Sequence, residues 1–375
     1  MADRPRTDAP ALEHVRDFDG VRLEVRGSEW PVEVAPFRDE RFRSLWHRLQ
    51  YHALRASQRG TLLLPRLLQR GITRTVAGTA RALDRRHRDA ARDFIRTALP
   101  DASPEELDRL DRTAWRHLVR VALVSEGVTP RLMGSRLGDH YDVHMAPEVR
   151  EVLAEDRGAL LVTAHCGYWE ASCPGVNGVG FRPTYAIGKA PRNDFVAQHI
   201  QRMRESQGMR LIARAGAMAT VPQAVRAGAH VGMLLDHRPR QKPVFAPFFG
   251  RMAGCDRSAG VLIRRVGAPL VFYGCYSSPG GDPLSDWRFE LRFPRVIRPE
   301  ELAGKDPVAI ATLVNRELEG LILHRPDEVF WLHDRYRGAE AKAAAAAAGA
   351  AGAAAAAAEA TVPGSGAQST PGEGR

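Results

Sequence analysis

Leu161-Val162-Thr163-Ala164-His165-Cys166-Gly167-Tyr168-Trp169-Glu170 is the stretch from which the rest of the chain can be understood. Its first half is a short apolar run with the look of a buried strand. The run ends at a histidine, a glycine then permits a tight turn, and a glutamate follows five positions after the histidine, at the expected first turn of a helix. Open α/β sheets carry their chemistry where strands end. Histidine titrates near neutrality, so a strand-end histidine is a candidate general base. A carboxylate on its other ring nitrogen would fix the tautomer and stabilise the imidazolium. A bare H-x4-E also arises by chance, as a core histidine followed by a helix-terminal acid.

Outward from this stretch the pattern alternates. The apolar runs 159–163, 231–235 and 269–273 predict buried strands, and 192–207, 220–227 and 258–266 predict helices between them. Such alternation argues for an α/β layered domain, a mixed central sheet flanked by helices. Residues 61–145 are predominantly helical and 146–338 form the α/β core. Residues 1–60 are an N-terminal extension in which Val21, Leu23 and Val25 suggest a short strand. In 61–83 Leu62, Leu63, Leu64, Leu67, Leu68, Ile72 and Val76 lie beside Arg66, Arg70 and Arg74, with Pro65 at the start of a helix. An apolar stripe beside a row of arginines suits a helix lying on a membrane, and equally an amphipathic helix with a solvated basic face. Ser103-Pro104-Glu105-Glu106 has the form of a helix start. Residues 339–375, rich in Ala and Gly, form a disordered tail with little to bury.

The 375 residues hold 54 Lys+Arg against 44 Asp+Glu, a formal net charge of +10, and 44% hydrophobic residues. A chain of this size and composition can bury a sizeable core. The charge suits nucleic acid, an anionic membrane surface or a phosphorylated substrate. No helix-turn-helix, zinc-finger or RRM signature accompanies it, so nucleic acid is not expected. Cys166, Cys173, Cys255 and Cys275 form no CxxC pair, which favours a reducing setting. No apolar run is long enough for a transmembrane helix. Asp139, His140, Asp142 and His144 could bind a cation, but no HExxH pattern exists and no metal is expected.

Several segments in order carry a resemblance. Residues 163–170 resemble the H-x4-D/E signature of the lysophospholipid acyltransferase superfamily and, more closely, the lipid A biosynthesis (lauroyl/myristoyl) acyltransferases. Arg202-Met203-Arg204 resembles that family's RMR-type segment and Leu235-Asp236-His237 its strand-end aspartate. Phe245-Ala246-Pro247-Phe248-Phe249-Gly250 is similar to its F-x-P-F-F-G block, and Trp331-Leu332-His333-Asp334-Arg335 to its W-x-H-x-R block. The resemblance implies a glycerol-3-phosphate acyltransferase-like fold with an N-terminal helical, membrane-facing part. It also implies transfer of a fatty acyl group from acyl carrier protein or acyl-coenzyme A to a glycolipid hydroxyl, without a cofactor, by a peripheral protein on the cytoplasmic face of the inner membrane.

In the site that it implies, His165 is the base and Glu170 its orienting partner. Arg202, Arg204, Asp236, Lys189 and Asn193 meet the substrate, and backbone N–H groups near 248–251 are candidate oxyanion donors. Lys189 stands where the family commonly has arginine. The usual hydrophobic N-terminal anchor is replaced by an amphipathic, basic region. A related branch acylates mannosylated phosphoinositides, an alternative acceptor.

Overall fold

The computed structural model describes residues 12–25, 30–34, 44–155, 157–239 and 242–344; residues 345–375 of the expected tail lie outside them. Helices α1 (Leu45–Leu63), α2 (Arg66–Leu83), α3 (Arg85–Ala98) and α4 (Pro104–Leu132) come first, after a short strand β1 (Glu13–Val15). Next are α5 (Leu137–His140), β2 (Tyr141–Met145), α6 (Pro147–Ala154), β3 (Leu160–Thr163), α7 (Ser172–Gly178), β4 (Thr184–Gly188), α8 (Asp194–Glu205), β5 (Met209–Ala213), α9 (Ala217–Arg226) and β6 (His230–Leu234). A hairpin of β7 (Pro243–Phe248) and β8 (Arg251–Asp256) leads into α10 (Arg257–Val266), β9 (Leu270–Ser277), β10 (Phe289–Ile297), α11 (Pro299–Leu302) and α12 (Pro307–His324).

Eight strands form one sheet in the order β1-β2-β10-β9-β3-β6-β4-β5. The run β9-β3-β6-β4-β5 is parallel, while β10 lies antiparallel to β9. Within the parallel run β3, β6 and β9 are buried on both faces, which explains their near-continuous apolar sequences. In β3 Leu160 and Val162 enter one core with Phe94, Phe248 and Trp331, while Leu161 enters a second with Tyr141 and Phe289. Burying each such side chain stabilises the fold by about 1.5–3 kcal/mol. Helix α4 spans both cores, through Leu110 and Trp115 at one end and Val124 and Val128 at the other. Ser103 caps it, accepting from the Glu106 N–H at 3.2 Å.

Three expectations are corrected. The sheet already includes β1 and β2, so the layered core begins before residue 146. Val21 and Val25 lie outside any strand; Leu23 is buried instead, its backbone bonded to Ser135 and Gly134. The segment 61–83 breaks at Leu64, which is extended because the ring of Pro65 excludes the α conformation from the residue before it.

Among the described residues no helix is long and apolar enough to cross a membrane. Yet of the twelve exposed large apolar side chains among the described residues, ten lie on α1 and α2, Trp46, Leu63, Leu67 and Leu83 among them.

On α4 His117 is buried, and its Nε2–H donates to the Gly167 carbonyl at 3.0 Å. Burial pushes its pKa from 6.5 down to about 3, against the opposing pull of that hydrogen bond. Below pH 6.5 the unfolded chain takes up a proton that the folded chain refuses until about pH 3. His117 therefore costs stability as pH falls through that window, by at most roughly 1.4 kcal/mol per pH unit. Urea midpoints measured from pH 7 to pH 4 should fall less steeply in His117→Gln than in wild type; parallel slopes would contradict this.

Candidate functional site

Strand register brings the site together. Thr163 of β3 is paired with Leu234 of β6, and the Leu235 N–H continues the ladder to the Thr163 carbonyl. Two residues beyond each paired position stand His165 and Asp236, side by side at the carboxyl ends of adjacent central strands. The His165 N–H donates to Asp236 Oδ2 at 3.0 Å, and its ring Nδ1 is 2.8 Å from Asp236 Oδ1.

Burial alone would raise the Asp236 carboxyl, but the His165 charge and hydrogen bonds win and hold it well below the usual carboxylate range. An ionised carboxylate only accepts hydrogen bonds, so Nδ1 carries a proton, and in the neutral form of the ring the lone pair is on Nε2.

The chain after His165 is stitched to the sheet. Gly167 has φ of +59°, and a Cβ there would lie 2.0 Å from the Cys275 carbonyl oxygen, so only glycine fits. Its N–H donates to the Glu328 carbonyl, the Tyr168 N–H to Cys275, and the Phe330 N–H to the His165 carbonyl. Trp169 meets the His165 ring edge-on at 5.2 Å. On the opposite side His237 stacks on His165 at 3.9 Å, and His333 on His237 at 4.3 Å. The Arg238 N–H donates to His333 Nε2 at 2.7 Å, and burial lowers the His333 pKa to about 3, so that ring stays neutral.

The expected partnership of His165 with Glu170 is replaced. Glu170 accepts from Arg204 Nη2 at 2.6 Å, and the ring of His165 is taken by Asp236. The reason is topological: Asp236 follows the neighbouring strand in register, whereas Glu170 sits past the turn, opposite α8. Burial disfavours the Arg204 charge, but Glu170 outweighs it and raises the guanidinium pKa.

Arg202 is exposed and lies outside the cleft, because residues two apart on a helix point in different directions. Lys189 lines the cleft. Asn193 does not; it caps α8, accepting from the Phe195 and Val196 N–H groups and donating to the His47 carbonyl. Residues 248–251 also lie away from it: the Phe249 N–H donates to Glu319, and Phe248 packs in the core. Trp331 is structural, donating to the Pro326 carbonyl, and so is Arg335, buried over the Phe248 ring.

The cleft has a volume of about 370 Å³. Its lining combines His165, Glu170 and Arg204 with the apolar side chains of Ile187, Ile200, Met218, Met233, Leu235 and Leu262. Arg214 and Arg238 add positive charge, Arg214 paired with Asp256. The sequence reading named neither Arg214 nor, Leu235 apart, the apolar side chains of this lining. Arg214 directly follows β5, so the strand-end rule that singled out His165 points to it too.

His165, Asp236 and His237 bring possible ligand atoms within 4.8 Å of one another. The two rings are parallel within 3°, however, so their in-plane lone pairs cannot converge on one ion. Of the other candidates, His140 donates to the Trp287 carbonyl, His144 stacks on His14, and Asp142 holds Arg288. They form no ligand set among the described residues.

No curated protein matches the chain. The family described as bacterial lipid A biosynthesis acyltransferase matches it over residues 41–338, taking in α1 to α12, β2 to β10 and the whole cleft. The chain belongs to that family of acyltransferases.

Proposed function

We propose that the protein moves a fatty acyl group from a thioester, on acyl carrier protein or coenzyme A, to a hydroxyl of a glycolipid of the lipid A type. The observation that carries this reading is His165 held on Asp236 in the lining of a cleft that cationic and apolar side chains share. His165 Nε2 takes the proton of the acceptor hydroxyl, whose oxygen attacks the thioester carbonyl carbon. The tetrahedral intermediate collapses, the C–S bond breaks, and the imidazolium returns the proton to the leaving thiolate. Asp236 stabilises the imidazolium throughout without taking its proton.

The other groups of the cleft have clear parts in this scheme. Arg204, charged and fixed by Glu170, offers positive charge beside the reacting centre. Lys189, Arg214 and Arg238 suit the phosphate of the donor's arm or of the acceptor. The apolar lining takes the acyl chain, each buried methylene contributing about 0.8 kcal/mol. None of these steps calls for a metal or redox cofactor. The exposed apolar surface of α1 and α2 supports action at the surface of the inner membrane.

Acyl transfer from both thioesters to a lipid A precursor and to a mannosylated phosphoinositide tests the reading. His165→Ala and Asp236→Asn should each lower kcat by on the order of 100-fold or more with folding intact. Glu170→Gln should cost less, roughly tenfold, because it loosens Arg204 and leaves the base in place. Transfer unaffected by His165→Ala, or lost in Glu170→Gln while Asp236→Asn stays active, would contradict the assignment. Met218→Trp, which narrows the apolar lining, should shift preference to shorter chains, by roughly fourfold per methylene excluded. An unchanged chain-length profile would place the acyl chain elsewhere.

A further inference from the structure

Helix α2 is amphipathic in the reverse of the usual sense. The face that it packs against the protein is Gln69, Thr73 and Ala77. On a wheel of 3.6 residues per turn, the half running from Val76 beside the packed face through Leu83, Ile72 and Leu68 to Leu67, with Gly, Thr and Ala between them, is all exposed. No charged residue falls on that half. Arg70, Arg74 and Arg81 lie together along the edge between Leu67 and the packed Ala77, and Arg66, at the helix start, falls in line with the packed residues. An outward face without charge is costly in water and suits the acyl region of a bilayer.

The arginine edge opens into a second pocket of about 550 Å³, which shares no lining residue with the His165 cleft. Arg66, Arg70 and Arg74 reach it from α2, and Arg109, Arg116 and Arg120 from α4. Three acids, Asp282, Asp327 and Glu328, face these six guanidinium groups. Asp282 holds Arg70 and Arg120 at 3.2 and 2.6 Å, and Asp327 holds Arg109. Glu328 accepts from Ser277. Among the described residues Arg66, Arg74 and Arg116 have no carboxylate within 4 Å. Arg116 donates only to Thr113 and the Arg112 carbonyl. Burial lowers its pKa, and the charges of Arg74, Arg112 and Arg120 lower it further. The pocket is thus short of negative charge, half enclosed, and beside an uncharged helix face.

We infer that the pocket between α2 and α4 binds the phosphate of an anionic phospholipid headgroup while the outward face of α2 rests among the acyl chains. Guanidinium forks match phosphate oxygens in pairs. The uncharged face and the arginine edge place an acyl region and a headgroup on the two sides of one helix. The inference deepens the membrane part of the proposed function but uses none of the residues given to acyl transfer.

Full-length protein is titrated with vesicles of phosphatidylcholine alone and with about a third phosphatidylglycerol. The double variant Arg74→Ala/Arg116→Ala should lose roughly tenfold or more in partitioning to the anionic vesicles. Arg257→Ala/Arg264→Ala, which removes equal charge from α10, should change it little. Leu68→Ser/Ile72→Ser should weaken binding to both compositions. Circular dichroism checks folding, and transfer to a detergent-dispersed acceptor, retained by the pocket variant, separates this site from the His165 chemistry. Equal losses in the two arginine variants, or no loss in either, would overturn the inference. Micromolar binding of inorganic phosphate without vesicles, with no preference between the vesicle compositions, would assign the pocket to a soluble phosphate instead.

Discussion

One carboxylate bears on both the fold and the chemistry. Asp236 accepts from the backbone of His165 through one oxygen and from its ring through the other. Both groups are largely removed from water, and an unpaired charge in such a place costs several kcal/mol. The pair therefore locks the ends of β3 and β6 to each other as firmly as it orients the imidazole. Around that pair the structure is arranged in service of its position: a glycine turn that no side chain could make, a return strand holding Tyr168, and a stack of histidines behind the ring. The imidazole is thereby oriented before any substrate arrives, which is what the proposed proton transfer requires.

Much of this was legible in the residues. The apolar runs at 159–163, 231–235 and 269–273 fall on β3, β6 and β9, and the helices between them fall on α8, α9 and α10 within a few residues. Buried parallel strands are continuous apolar runs, so composition exposes them. Spacing along the chain does not reveal sheet order, because a one-dimensional pattern carries no information about which strand lies beside which. The pairing of β3 with β6 is a long-range contact, and only that contact shows which acid meets His165. Asp236 was visible as a polar strand end but not as the partner of the ring; the resemblance to an H-x4-D/E signature gave Glu170 that role.

Local chemistry could have corrected two other assignments. Asn193, just before a helix rich in apolar positions, has the placement of a cap, and its side chain is consumed by the first turn of α8. Arg202 and Arg204 cannot share a helix face, so a cleft-facing Arg204 leaves Arg202 to solvent. Of the stripe read over 61–83, Leu67, Leu68, Ile72 and Val76 lie on α2 with the arginines, while Leu62 and Leu63 belong to α1. That the packed face would be Gln69, Thr73 and Ala77, however, depends on where α4 lies. Periodicity shows that a helix has two sides; it does not show which side faces the protein.

The most direct test of the central claim is the tautomer of His165, read from nitrogen-15 shifts and one-bond proton couplings of the labelled ring near pH 8. A proton on Nδ1 with Nε2 unprotonated in wild type, lost or scrambled in Asp236→Asn and retained in Glu170→Gln, is the result that the account predicts. A proton resident on Nε2 in the wild-type protein, or a tautomer set by Glu170 and indifferent to Asp236, would contradict it.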